Sequence, residues 1–438
     1  MDIKTAPEAV GGCTTESPSS FPHQSLQVGQ WVKLICGASY QDMPTVRRLV
    51  MLYAMAGVDC IDVAADGAVV AAARQGLEDA AKLTECLKAY KATSEARRAE
   101  GEYHSHLIAG LPWLMVSLND SEDPHFRKAY FDAARCPSEC DRPCESLCPT
   151  AAIQFQSAQQ GSVAADLCYG CGRCIAVCPW GNIEARPHLA RPEAFSSGQV
   201  AQIDAVEIHT QTGHRAQFEQ LWQRLQPWMP SLKLVSISCP DHAQVVPYLW
   251  DLYHLMAPLG VPLVWQADGR PMSGDLGKGT THAAIRFAQK LLVAGLPGHV
   301  QPAGGTNGYT VSKLIDLGLI NDAPFASRPH SFGPSLSRSD GIANQNLGPP
   351  GGTISGVAYG SYGRSQVLPL LEAIDHELQP WLGNASLDQP SSQWKTKFTT
   401  AAPWQRFDDS ALGQGLTLAR QLVGQLKTDR HFLSARYG

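Results

Sequence analysis

Short apolar runs alternate with helical periodicity along most of the chain. Residues 31–38 (WVKLICGA) precede an amphipathic stretch at 45–56, and residues 58–64 (VDCIDVA) precede a longer one from 67 to about 98. A third run, 112–119 (PWLMVSLN), leads into a cysteine-rich segment. Five more runs follow at 205–211, 232–238, 261–266, 300–303 and 356–359, most of them trailed by helical patterns at 215–228, 243–257, 281–294 and 309–317. Such alternation is how parallel βα units read in sequence.

Eight strands predict an α/β fold, a (β/α)8-like barrel of the TIM type, with an open doubly wound sheet as the alternative. The helix after the third strand is poorly marked, because the cysteine segment stands in its place. An insertion at that point lies on the catalytic face of a barrel. The implied organisation is a disordered tail (1–29), N-terminal βα units (30–120), a ferredoxin-like two-cluster module (121–190), C-terminal βα units (200–380), and a linker with a final helix (381–438). A Pro-, Ser-, Gly- and Asn-rich stretch at 321–352 is long enough to be functional or mobile. The last helix, at about 409–426, packs back on the body or docks a partner.

Composition narrows the class. With 44% apolar and 17% charged residues in 438, the chain suits a globular core. A net charge of −5 without a basic run argues against nucleic-acid binding, which needs clustered Lys and Arg. No stretch approaches the ~20 apolar residues of a transmembrane segment, and the first residues lack an apolar leader core, so a cytoplasmic location is expected.

The thirteen cysteines carry the chemistry. Cys13, Cys36, Cys60, Cys86 and Cys239 are scattered, as buried thiols are. The other eight fall between Cys136 and Cys178, a density that reads as metal binding and not as a disulfide scaffold. The second run, Cys168, Cys171, Cys174 and Cys178 followed by Pro179, is C-x2-C-x2-C-x3-C-P. In this bacterial ferredoxin pattern three thiolates hold one cubane and the fourth crosses to its neighbour. Gly170 and Gly172 give the backbone freedom to wrap a cluster.

The first run, Cys136, Cys140, Cys144 and Cys148 followed by Pro149, ends the same way but has upstream gaps of three residues. By the crossed rule Cys136, Cys140, Cys144 and Cys178 hold one cluster, and Cys148, Cys168, Cys171 and Cys174 the other. Two 4Fe-4S clusters are expected, the widened first site being open to a 3Fe-4S form. Zinc sites usually separate two CxxC knuckles by a longer gap and need no Cys-Pro endings, and Pro137 and Pro143 oppose a regular helix carrying the first run.

Elsewhere the signals are weaker. Gly304, Gly305 and Asn307 follow the seventh strand, and Gly360, Ser361 and Arg364 follow the eighth. Turns at those places cradle a phosphate in some barrels, such as that of flavin mononucleotide (FMN), or simply allow a tight strand-to-helix connection. Asp62, Asn119, His209, Gln211, Gln266 and Asp268 sit at strand ends, where they line a barrel mouth or satisfy backbone groups. No GxSxG, HExxH, P-loop or strict GxGxxG occurs, and nothing names a substrate.

The opening run through VDCIDVAADGAVVAAA, the paired cysteine runs, and the IHTQTG, WQADGRPMSGD, AGGTNGYT and GVAYGSYGR stretches resemble the cyanobacterial light-dependent period modulator (LdpA) family. The resemblance spans about 31–371. It implies a cytoplasmic iron–sulfur protein that reports redox state, hence light, to the circadian clock, with KaiA and CikA as partners. The eight cysteines carry over as cluster ligands. The competing expectations are an oxidoreductase relaying electrons to flavin or substrate at the barrel mouth, and an electron-transfer subunit of a larger complex.

Overall fold

The computed structural model describes residues 21–37, 42–91, 110–122, 126–157, 159–165, 167–269, 278–320, 353–382 and 409–427. The stretches 321–352 and 383–408, and the end of the helical pattern toward residue 98, lie outside the described residues.

All eight expected strands form. β1 (Trp31–Ile35), β2 (Cys60–Ala64) and β3 (Trp113–Asn119) precede the cysteine segment. That segment holds β4 (Arg127–Tyr130), β5 (Ile153–Ser157), β6 (Gln160–Val163) and β7 (Glu184–Pro187). After it come β8 (Ala205–His209), β9 (Leu234–Pro240), β10 (Leu263–Asp268), β11 (His299–Ala303) and β12 (Gly356–Tyr359).

The large sheet runs β11-β10-β9-β8-β3-β2-β1-β12, every pairing parallel. An open doubly wound sheet reverses its strand order; this one never does. Its two edge strands approach each other: Ser355 N–H donates to Val300 O at 2.9 Å, and Thr306 Oγ1 donates to Ala358 O at 2.5 Å. The result is a nearly closed, barrel-like sheet of eight parallel strands.

Alternation along these strands builds two different environments. Outward residues such as Leu34, Ile61, Val116, Val206 and Ile237 join the main hydrophobic core beneath the surrounding helices. Inward residues at the N-terminal end, among them Trp31, Trp113, Met115, Leu234 and Val264, form a separate apolar plug. Leu26 closes it from α1 (Phe21–Val28). The disordered tail expected over 1–29 is corrected there: burying Leu26 against this plug orders the segment into a helix, while residues 1–20 lie outside the described residues.

The outer layer includes α2 (Met43–Ala56) and α3 (Gly67–Lys91). Within the cysteine segment α4 (Pro143–Ser146) and α5 (Arg173–Val177) are single turns. The weakly marked third barrel helix is also one turn, α6 (Ser197–Val200), closed by a capping box between Ser196 and Gln199. Then follow α7 (Arg215–Leu225), α8 (Val245–Met256), α9 (Thr281–Ala294), α10 (Thr310–Asp316), α11 (Ser361–Val367), α12 (Leu371–Leu382) and α13 (Ala411–Val423). α13 packs back on the body, with Leu412, Leu416 and Leu422 buried in the main core.

Between β3 and β8 the chain makes two small antiparallel ribbons, β4 with β7 and β5 with β6, around a core of its own that includes Phe131, Cys144, Ile153 and Ile183.

Candidate functional site

The two cysteine runs build matching local geometry. Each has a residue with left-handed backbone just before a one-turn helix, Arg142 (φ 54°) and Gly172 (φ 75°). Each has another three residues past its last cysteine, Ala151 (φ 52°) and Gly181 (φ 58°). The turn that follows Cys148-Pro149 aims the Ala152 N–H at Cys148 Sγ (3.2 Å). The turn after Cys178-Pro179 aims the Asn182 N–H at Cys178 Sγ (3.4 Å). Glycine takes such a backbone freely; Arg142 and Ala151 hold it at a cost, as over-determined functional turns do.

The runs cross. One small hollow is lined by Cys136, Cys140, Cys144 and Cys178, three from the first run and one from the second. Another is lined by Cys148, Cys168, Cys171 and Cys174. Asn182, which the sequence reading passed over, ties the first set together. Its amide nitrogen donates to Asp132 O (2.8 Å) and Cys136 Sγ (3.3 Å), while its N–H serves Cys178. In the second set the Ala129 N–H donates to Cys168 Sγ at 3.5 Å.

The donor set suits an iron–sulfur cluster. Four cysteines line each hollow, and N–H groups point at sulfur, as they do around clusters whose potential they tune. Burial alone would raise the Cys148 thiol, but backbone N–H groups around Thr150, Ile153 and Ala152 outweigh it and bring it below its ordinary value. Cys174 is pushed up to about 11, by burial first and then by Cys168 and Cys171. Thiols so crowded ionise together only around a compensating positive charge.

The two hollows differ in setting. Tyr169 and Cys171, beside the second, pack against the main barrel core. The first belongs to the small core of the inserted segment. Lys128, on the strand that carries Ala129, pairs with Asp66 at 2.7 Å, just past β2. Phe126 sets its ring edge against His209 at 5.9 Å, at the end of β8.

Inside the barrel, above the apolar plug, the inward positions turn polar. Lys33 is fully buried; its Nζ pairs with Glu207 and lies 3.3 Å from Asp62. Ser236 Oγ (2.8 Å) and Gln266 Nε2 (2.9 Å) also donate to Glu207, and His209 Nε2 lies 3.3 Å from it. Ser117 holds Asp62 at 2.6 Å, Ser238 holds Asp268, and Gln301 joins Gln266 to Trp31.

The cations decide the ionisation. Burial would raise Glu207, but Lys33 and His209 outweigh it and bring it down to about 2. Burial would likewise neutralise His209, yet Glu207 raises it to about 9. Asp268 is pushed up to about 6, by burial first and then by the Glu207 charge.

Of the strand-end residues singled out in the sequence, Asp62, His209, Gln266 and Asp268 join this network. Asn119 is buried at the same mouth, and Gln211 is exposed beyond it. Lys33, Glu207, Ser236 and Gln301 were not anticipated. Their signal was present as one polar residue at an inward position of an apolar run: V-K-L, V-E-I, V-S-I, V-Q-P.

At the glycine-rich turns, side chains bond within their own chain. Asn307 donates to Thr280 Oγ1 (3.1 Å) and accepts from the Tyr309 N–H (2.9 Å). Arg364 donates to Ile35 O (2.8 Å) and Ser361 Oγ (3.2 Å). Gly304 (φ 59°) and Gly305 (φ 109°) take left-handed backbone, and a Cβ on Gly305 would meet Thr280 O at 2.7 Å. Gly360 caps α11. Among the described residues no helix is long and apolar enough to cross a membrane.

Residues 136–189 match the family described as the LdpA Fe-S cluster-binding domain, so an iron–sulfur-binding domain is present. Residues 199–425 match the light dependent period A C-terminal domain. The curated protein "Light dependent period A" of Synechococcus elongatus is 51% identical over 315 residues, 71% of this chain and 80% of its own length. The chain belongs to the light dependent period A (LdpA) family.

Proposed function

We propose that this protein is a cytoplasmic iron–sulfur redox sensor and adaptor that passes light-dependent redox state to the circadian clock, with KaiA and CikA as its partners. Membership of the LdpA family and the iron–sulfur-binding domain support a clock-input role. The observation that carries the redox reading is the pair of four-thiol cavities, each assembled from both cysteine runs.

In this reading Cys136, Cys140, Cys144 and Cys178 hold one 4Fe-4S cluster, and Cys148, Cys168, Cys171 and Cys174 hold the other, within a ferredoxin-like module. The bound clusters supply one-electron redox chemistry. The N–H groups of Ala129, Ala152 and Asn182 orient the thiolates and stabilise their charge. Tyr169 and Cys171 transmit a change at the second site into the barrel core against which they pack.

The test is partner capture by the anaerobically purified protein at two controlled potentials. Binding of KaiA or CikA that switches with potential, without turnover of a redox dye, supports the sensor. Binding indifferent to potential sinks it.

One observation favours an oxidoreductase as the second reading. The polar barrel mouth touches the inserted segment that carries both cysteine sets, through the Phe126–His209 contact. Bound FMN, or turnover of a dye with NAD(P)H, would move the protein to that class.

A further inference from the structure

The turns that close the two cysteine runs follow one backbone path but differ in one side chain. Four residues past the last cysteine, Ala152 and Asn182 each aim a buried N–H at that cysteine's sulfur. The residues before them, Ala151 and Gly181, share the left-handed conformation, and those after them, Ile153 and Ile183, share the small core. A methyl group suffices at Ala152. Asn182 brings a carboxamide, only 8% exposed, into the same kind of place. Burying an amide costs free energy unless its groups are bonded, and the turn itself does not require one.

This amide is only partly bonded. Nδ2 gives one hydrogen to Asp132 O (2.8 Å) and the other to Cys136 Sγ (3.3 Å). Oδ1 is buried with no partner among the described residues. Turning the amide over gives no relief, because its oxygen would then face a carbonyl and a sulfur. The unpaired oxygen is therefore the cost of aiming both N–H groups. A neutral thiol is a weak acceptor, whereas an ionised acceptor makes a bond roughly twice as strong as a neutral one. The arrangement suits Cys136 as a thiolate.

The same side chain spans the crossing of the runs. Asp132 caps the short turn into Cys136 by accepting the Ala134 N–H (3.0 Å), and the Cys136 N–H closes that turn on Ala133 O (3.1 Å). Asn182 thus braces the entry to the first run against the exit from the second.

We infer that the Asn182 side chain is a positioning residue that raises the reduction potential of the cluster held by Cys136, Cys140, Cys144 and Cys178, and of that cluster alone. The inference rests on the crossed ligation proposed above. When that cluster accepts one electron from an external donor, negative charge on its sulfur ligands grows and the bond from Nδ2 strengthens, which favours the reduced form. Ala152 offers the other site no such side-chain donor.

The test is a redox titration followed by electron paramagnetic resonance on the full-length, anaerobically purified protein, wild type against Asn182→Leu, which keeps much of the shape and deletes the N–H. The first cluster's signal is the one that survives in Cys171→Ser with Cys174→Ser. At a fixed potential its reduced-to-oxidised ratio is expected to fall about threefold or more in Asn182→Leu, about 28 mV for one electron at 59 mV per tenfold. The second cluster is the internal standard, since general damage to the segment would move both. A measurement on the wild type does not depend on the variant holding its cluster: asparagine carrying nitrogen-15 only at the side-chain amide is incorporated. Among the described residues Asn182 is the asparagine whose side chain reaches a cysteine sulfur, so a nitrogen-15 hyperfine coupling is expected on the first signal and not on the second. Absence of that coupling, an unshifted first potential, or equal shifts of both clusters would overturn the inference. A wild type without two cluster signals would instead sink the crossed ligation, and this inference with it.

Discussion

Replacing Lys33 by Met tests the barrel interior directly. Lys33 is fully buried, in contact with Glu207 and 3.3 Å from Asp62. Met nearly matches its length and volume, so the substitution deletes the charge with little change in packing. Two unit charges ~4 Å apart at an effective dielectric of ~20 attract by ~4 kcal/mol. Removing one partner of a buried pair costs ~3–5 kcal/mol, because the other is left uncompensated. Glu207 keeps His209, Ser236 and Gln266, so the lower end, ~3 kcal/mol, is expected.

Reversible urea unfolding at pH 7.5, followed by tryptophan fluorescence and circular dichroism, measures it. Without Lys33 the burial of Glu207 favours its protonated form, so the deficit narrows as pH falls toward the carboxylate range. A cycle with Glu207→Gln isolates the pair. The double variant is expected to lose less than the sum of the singles by ~1–3 kcal/mol. A loss below ~1 kcal/mol for Lys33→Met, or strict additivity in the cycle, would refute a coupled buried network.

Other predictions follow from single contacts. Because Glu207 raises His209 to about 9, His209 contributes stability that is full below its unfolded value of 6.5 and is lost as pH rises through about 9. Thermal unfolding should show that decline in the wild type and not in His209→Gln. Gly76→Ala, which helix propensity would favour by ~1 kcal/mol, is expected to destabilise, since the new Cβ would sit 2.4 Å from Arg47 O where α3 crosses α2. Urea midpoints decide the sign. Cys171→Ser with Cys174→Ser is expected to remove the second site's cluster and leave the first; sulfide analysis showing both retained would break the ligand assignment.

The strands were legible because their apolar runs are short, β-branched and separated by helical periodicity, and all eight form. Strand order followed from the same alternation, since each βα unit lays its strand beside the last. The helix α1 was not legible. Its segment, FPHQSLQV, carries few apolar residues and a Pro, and Leu26 packs it against the plug formed by Trp31, Trp113 and Val264.

The crossing of the cysteine runs was readable from the C-x3-C-P endings. Asn182 was not, because an Asn four residues past a cysteine becomes a sulfur donor only once the turn at Gly181 is known. The charged layer was half legible. Asp62 and Asp268 stood out at strand ends, whereas Lys33 and Glu207 lie inside strands, where their inward direction depends on register. The glycine-rich turns drew attention for their composition, yet Asn307 and Arg364 are held there by hydrogen bonds within their own chain.

The central claim, crossed ligation of two clusters, is most directly tested by electron paramagnetic resonance on the reduced, anaerobically purified wild type and Cys178→Ser. Cys178 belongs to the second run in sequence and to the first cavity in space. The account predicts two reduced cluster signals in the wild type. It further predicts that Cys178→Ser alters or abolishes one signal, and that this is the one surviving in Cys171→Ser with Cys174→Ser. If Cys178→Ser instead perturbs the same signal as that double variant, the runs do not cross and the account is wrong.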